Sequence, residues 1–366
     1  MNKEKKKIFS FPLNPFLTAN QLKKETVPFL QKNKELIYDI YFTCKIPPFM
    51  QDAMGVFVEQ ENRFKTIFSD AMIIQQMTGI PVSATFNNVG VAPTDANLEI
   101  FIENLKPLYK AGMRSMTIPH TLWLKRGAIQ ETFPDMFIKN TVLRRVKTAQ
   151  EFWYAAEAGF HLINIDRILL RDRKSLEDVK KAQEKFAKQR GRYVYTAILA
   201  NEHCLGKCPV MDEHHFFNNC LGSGAPGTKV PYFKQKVGQS CPRGNPKAPH
   251  PTFVFKMCNI PYFRKDFEDL LKLVDVIKMH GRNDPHLLKE SAEFIDNYAQ
   301  GKEEVVYGEN DILKRAIMDL HIPADKIDMW RKMIKNCKFE CWDCNFCDNL
   351  VETAAPGLRT LEHALQ

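Results

Sequence analysis

Short runs rich in β-branched and aromatic residues alternate along this chain with longer stretches of helical periodicity, and that alternation limits its fold more than any other feature. The strand-like runs are Tyr38–Thr43, Pro81–Phe86, Ser115–Ile118, Phe137–Val142, Leu162–Ile165, Tyr193–Leu199, Thr252–Lys256 and Val274–Met279. Between them, Asn97–Tyr109, Ala149–Ala158, Leu176–Arg190, Arg264–Leu273 and Leu287–Gln300 carry apolar residues three or four apart, the period of an amphipathic helix. The alternation predicts parallel βαβ units, and eight strands close a TIM-like (β/α)8 barrel. A doubly wound open sheet is the competing α/β architecture, but the turn after the first run reads FTCKIPPFM, without the glycine-rich fingerprint of such sheets. The barrel is therefore expected over 37–300, after an N-terminal extension at 1–36 and before a C-terminal cysteine-rich segment at 301–366.

One connection breaks the rhythm. About fifty residues between Leu199 and Thr252 show little periodicity, and loops of such length in compact domains are usually functional or disordered. This one contains GSGAPGTKVP and CPRGNPKAPHP, and it carries Cys204, Cys208, Cys220 and Cys241, which favours function.

Composition narrows the class. Apolar residues make up 44% and charged residues 26% of the 366, ordinary globular usage that excludes wholesale disorder. No apolar run approaches the roughly 18 residues of a membrane span. The basic cluster Lys3–Lys7 is followed by an apolar stretch broken at Pro12 and Pro15, a poor signal peptide, so the cytoplasm is the expected compartment. The net charge of +9 admits a phosphate-rich partner such as tRNA or rRNA. It fits an ordinary basic enzyme equally well, since the basic residues are spread along the chain.

There are ten cysteines, and eight form two groups. In a cytosolic chain, clustered thiols read as metal or cluster ligands rather than disulfides. Cys204 and Cys208 lie in NEHCLGKCP after the sixth run, Cys258 closes the seventh in FKMCNIP, and Cys241 sits in the loop between. In a barrel these four thiols can meet at the C-terminal mouth, where barrel active sites lie. Sulfur ligation suits zinc or an iron–sulfur cluster, and scattered ligands tilt the choice to a 4Fe–4S cluster. Cys220 is the reserve ligand. The second group, Cys337, Cys341, Cys344 and Cys347, is compact. Structural zinc usually takes two ligand pairs separated by a longer loop, whereas cubanes accept compact runs, so a second 4Fe–4S centre is expected with zinc as its alternative. The C-x-x-x-C-x-x-C spacing inside this run matches radical S-adenosylmethionine enzymes, but theirs lies in the first barrel loop, so the match is taken as coincidence.

Other chemistry finds less support. His214 and His215 could join Cys204 and Cys208 at zinc, yet no HExxH helix or deaminase pattern is present. The expected mouth offers Asn140, Asp166, Arg167, Asn201, Glu202 and Arg282, polar groups suited to fixing a small ligand beside a cluster.

The segments NEHCLGKCP, GQSCPRG and FKMCNIPYFRKDFEDLLKLVDVIKMHGR, with the helix ending ESAEFIDNY, resemble peptidase family U-thirty-two over most of 80–300. This collagenase-like family includes iron–sulfur RNA and ubiquinone-pathway hydroxylation proteins. Cys258 matches its "KDLC" cysteine, and Lys278, Gly281 and Arg282 match its "KIEGR" element. His280 stands where the family has glutamate, the first cysteine pair is tighter than usual, and the tail cysteines are additional. The resemblance implies a 4Fe–4S cluster on Cys204, Cys208, Cys241 and Cys258. It also implies oxygen-independent hydroxylation of RNA or a small aromatic metabolite, with Lys278 and Arg282 binding a carboxylate or phosphate. A peptidase, without any visible nucleophile–base pair, and a non-catalytic electron-transfer or assembly protein are the alternatives. In the latter the tail centre would feed the barrel centre or an electron-transfer partner.

Overall fold

The computed structural model describes residues 6–50, 61–200, 204–205, 207–208, 251–282, 285–304 and 311–356. Eight parallel strands close a barrel in sequence order: β1 Phe9–Pro12, β2 Ile37–Thr43, β3 Val82–Thr85, β4 Ser115–Ile118, β5 Phe137–Asn140, β6 Leu162–Ile165, β7 Tyr195–Leu199 and β8 Val276–Lys278. Closure is made by β1 against β8, with Ser10 opposite Lys278. The predicted (β/α)8 architecture is the one observed.

Two strands differ from the sequence reading. Phe9–Pro12, inside the stretch expected as an N-terminal extension, is the first barrel strand. Its four residues lie between a basic cluster and two prolines, too short a run to show a period. The run Thr252–Lys256, expected as the seventh strand, is instead the helix Pro251–Lys256. A short apolar run cannot be assigned by periodicity alone, and Pro251 at the first helical position presets the helical φ. The count of eight therefore rested on one strand missed and one strand too many.

Among the described residues, the α-helices of five residues or more are α1 Val27–Lys32, α2 Glu61–Thr78, α3 Asp95–Lys110, α4 Thr121–Lys125, α5 Ala128–Thr132, α6 Ala149–Ala158, α7 Arg173–Arg190, α8 Pro251–Lys256, α9 Arg264–Leu271, α10 Pro285–Ala299, α11 Ile312–Asp319, α12 Ala324–Ile334 and α13 Phe346–Ala354. Their ends follow local chemistry. Thr148 and Glu151 form a reciprocal capping box on α6, which stops at Gly159 with φ of 114°. Asp172 caps α7 by accepting from the Ser175 amide.

Outward strand residues such as Phe9, Ile40, Phe42, Ile163, Ile198 and Ile277 are fully buried under the helices in one continuous core. A second core lies beside the barrel, where α11, α12 and α13 bury Leu313, Ile327, Trp330, Cys347, Leu350 and Val351 against Val254 and Phe255 of α8. The insert between β7 and β8 is thus the seat of the C-terminal segment. Among the described residues, no helix is long and apolar enough to cross a membrane.

Candidate functional site

The two cysteine groups, far apart in sequence, meet around one arginine. Arg171 ends the short helical turn Arg167–Arg171 that follows β6, and it is 4% exposed. One of its terminal nitrogens donates to the carbonyls of Phe255 at 2.8 Å and Met257 at 3.1 Å. The other lies 3.7 Å from Cys337 Sγ and 3.9 Å from Cys347 Sγ. Its own carbonyl accepts from the Cys337 amide at 2.9 Å, and Arg173 donates its amide to Lys335. The tail is therefore stitched to the loop after β6 by backbone as well as side chain.

The first group assembles on the same framework. The Cys258 amide donates to the Cys204 carbonyl at 2.9 Å, and Leu205 pairs with Met257. Cys258 is buried, whereas Cys204 and Cys208 are partly buried. Cys258 follows a helix, not a strand, but still sits beside Cys204. Cys220, Cys241, Asn201, Glu202, His214 and His215 lie outside the described residues.

Cys337, Cys341, Cys344 and Cys347 all line one cavity of about 420 Å³, with Arg171, Lys256, Phe339 and Phe346 among its walls. Among the described residues, no three Cys, His, Asp or Glu side chains are arranged to hold a metal ion; the four tail thiols surround a space rather than a point. Burial raises the thiol pKa of Cys347, and Arg171 and Lys256 oppose the rise. Burial pushes Cys258 up to about 12, again against the pull of Arg171 and Arg167. Burial disfavours the charge on Arg171, but the sulfurs of Cys347, Cys258 and Cys337 outweigh it and hold its pKa above the ordinary value. The buried guanidinium offsets part of the penalty that burial places on the thiolate form of these sulfurs.

The barrel interior is the other half of the site, and it is polar. Asp39 on β2 and Lys139 on β5 form an ion pair across it, both nearly fully buried. Ser83 and Ser115 hydrogen-bond at 3.0 Å, and Thr85 and Thr117 occupy opposed positions on β3 and β4. Phe137, Leu162, Ala197, Tyr195 and Val276 close the floor. Tyr41 donates its hydroxyl to the Met279 carbonyl at 2.5 Å. Lys278 Nζ stands 4.3 Å and Arg282 Cζ 5.8 Å from the centre of the Tyr41 ring. Lys278 and Arg282 thus lie against the same ring.

Other predicted mouth residues are engaged in holding the loops. Asn140 accepts from the Asn164 amide at 2.5 Å and donates to the Asn164 carbonyl at 3.3 Å. Asp166 accepts from the Ile168 amide and from Arg145 Nε, at 3.0 and 3.1 Å. His280 lies beyond the end of β8 and its carbonyl accepts from Ser291. Asp39, Tyr41, Lys139 and Arg171 escaped the sequence reading. A charged residue at the centre of the apolar runs IYDIYFT and FIKN was the legible signal for the first and third; Arg171, among several arginines in RILLRDR, offered none.

No family model and no curated protein matches the sequence. Among solved structures, the chain is similar to the U32 peptidase Mk0906, at 11% identity over 76% of this chain and 95% of that one, with a TM-score of 0.45. It is also similar to an O-GlcNAc hydrolase mutant from Thermobaculum terrenum, at 11% identity, 99% and 96% coverage and a TM-score of 0.36. A third is 2,3-dimethylmalate lyase, at 11% identity, 74% and 93% coverage and a TM-score of 0.32.

Proposed function

We propose that this chain is an iron–sulfur barrel enzyme of the U-thirty-two type, an oxygen-independent hydroxylase or modification enzyme acting on a small carboxylate or aromatic molecule at the barrel mouth. The observation that carries the reading is the single cavity lined by all four tail cysteines and by Arg171. A space of about 420 Å³ bounded by thiols suits a multi-iron body better than one tetrahedral ion. Cys337, Cys341, Cys344 and Cys347 would hold one 4Fe–4S cluster, and Cys204, Cys208 and Cys258 would contribute to another. Clusters so held supply one-electron transfer. The chain's own residues do the rest: Arg171 donates hydrogen bonds toward sulfur, and Arg282 places a cationic group beside Lys278 where a carboxylate would dock.

The polar lumen with a closed floor favours a small substrate over RNA. Anaerobic purification followed by iron, sulfide and zinc assay tests the proposal. Iron with equimolar sulfide is expected, and Cys347→Ser should lower both while leaving the barrel folded by circular dichroism. Zinc without sulfide would overturn the cluster reading. Tight tRNA binding that weakens steeply with salt would move the substrate from the small molecule to RNA.

A further inference from the structure

The interiors of such barrels are normally packed with branched apolar side chains, and this one is not. Above its floor stand Asp39, Tyr41, Thr85, Thr117, Lys139 and Lys278. Asp39 Oδ1, Thr85 Oγ1 and Thr117 Oγ1 are buried with no hydrogen-bond partner among the described residues. Each such orphan is costly and calls for an explanation, an absent ligand or solvent being the usual one.

We propose that Lys278 is an amine nucleophile that forms an imine with a small 2-oxo carboxylate entering the lumen, the carboxylate resting on Arg282. Neither cysteine centre is needed for this step. Lys139 is neutralised by Asp39, whereas no carboxylate among the described residues pairs with Lys278. The groups around Lys278 are Arg282, Lys139, Asp39 and the Tyr41 ring. Burial first, then the positive charges of Arg282 and Lys139, bring its pKa down to about 7 against the opposing pull of Asp39. An unprotonated amine is therefore present at neutral pH, the condition for attack on a carbonyl.

In the step, the nitrogen lone pair adds to the C2 carbonyl carbon to give a carbinolamine. The former carbonyl oxygen then leaves as water with the two amine protons, so that a C=N bond replaces C=O. No oxidant or reductant takes part. Arg282 selects the carboxylate through charge-assisted hydrogen bonds.

Incubation of the whole protein with pyruvate and sodium cyanoborohydride, followed by intact mass and peptide mapping, tests this. One reduced adduct on Lys278 is expected, absent in Lys278→Met, and at least tenfold slower with acetone, which has no carboxylate. Labelling spread over surface lysines, labelling unchanged in the variant, or none at saturating pyruvate would overturn the proposal; equal labelling by acetone would overturn the role of Arg282. Independently of any folding defect in Lys278→Met, the wild-type rate at Lys278 is also followed against pH. A half-maximum near 7 is expected, and one at the surface-lysine value of about 10 sinks the idea. The readout is independent of iron content, so its failure and that of the cluster reading are separable.

Discussion

Single residues here carry charge into places that water does not reach. Asp39 and Lys139 pair inside the barrel, so removing one partner leaves the other uncompensated. Lys139→Met should cost about 3–5 kcal/mol in urea unfolding, and adding Asp39→Leu should recover most of it. If the single variant unfolds like the wild type, the pair is not a buried one. Lys278 sets a pH dependence. Its amine titrates near 7 when folded and near 10 when unfolded, so between these values the unfolded chain holds more protons and stability rises with pH. Lys278→Met should flatten that rise. His120 acts in the acid range. Burial, and then the charge of Arg144, lower its pKa to about 4, so the folded state resists protonation. Stability should fall as pH drops from about 6.5 to 4, and His120→Phe, in a pocket already made of Phe49, Phe101 and Trp123, should blunt the fall. An unchanged urea midpoint from pH 7 to pH 5 in the wild type would count against it.

Elements matter through what they are packed on. α8 serves neither as strand nor as barrel helix; it presents Val254 and Phe255 to the tail, and the Phe255 carbonyl accepts from both Arg171 and the Trp330 indole. Trp330→Ala should cost about 3–5 kcal/mol of local stability. Limited proteolysis should then cut the tail while the barrel remains resistant; equal loss of both would mean that the two cores unfold as one. This small core also explains why the four tail cysteines face Arg171: a helix and a short bridge at Asp172 and Asn336 hold them there.

At the scale of the whole molecule, closure depends on β1. Phe9–Pro12 pairs with both β2 and β8, and the Ile277 and Met279 amides donate to Ile8 and Ser10. A chain beginning at residue 37 should therefore fail to give a cooperative unfolding transition, whereas one beginning at residue 6 should unfold as the full chain does. Much of this was legible beforehand. Alternating strand and helix periods specified a parallel α/β barrel, because those periods express which face of each element is buried. Runs as short as FSFP and PTFVFK carry no period, so only closure of the sheet made the first a strand and the demand of a second core made the other a helix. The cysteine spacing announced two thiol groups, and the strand order brought Cys204 to Cys258. What no spacing could announce is that both groups share Arg171, or that Asp39, Lys139 and Lys278 converge in one lumen. The lumen contacts join residues a hundred or more apart and exist only because a closed barrel turns alternate side chains of every strand toward the same axis, whereas Arg171 meets the cysteines from the turn after β6.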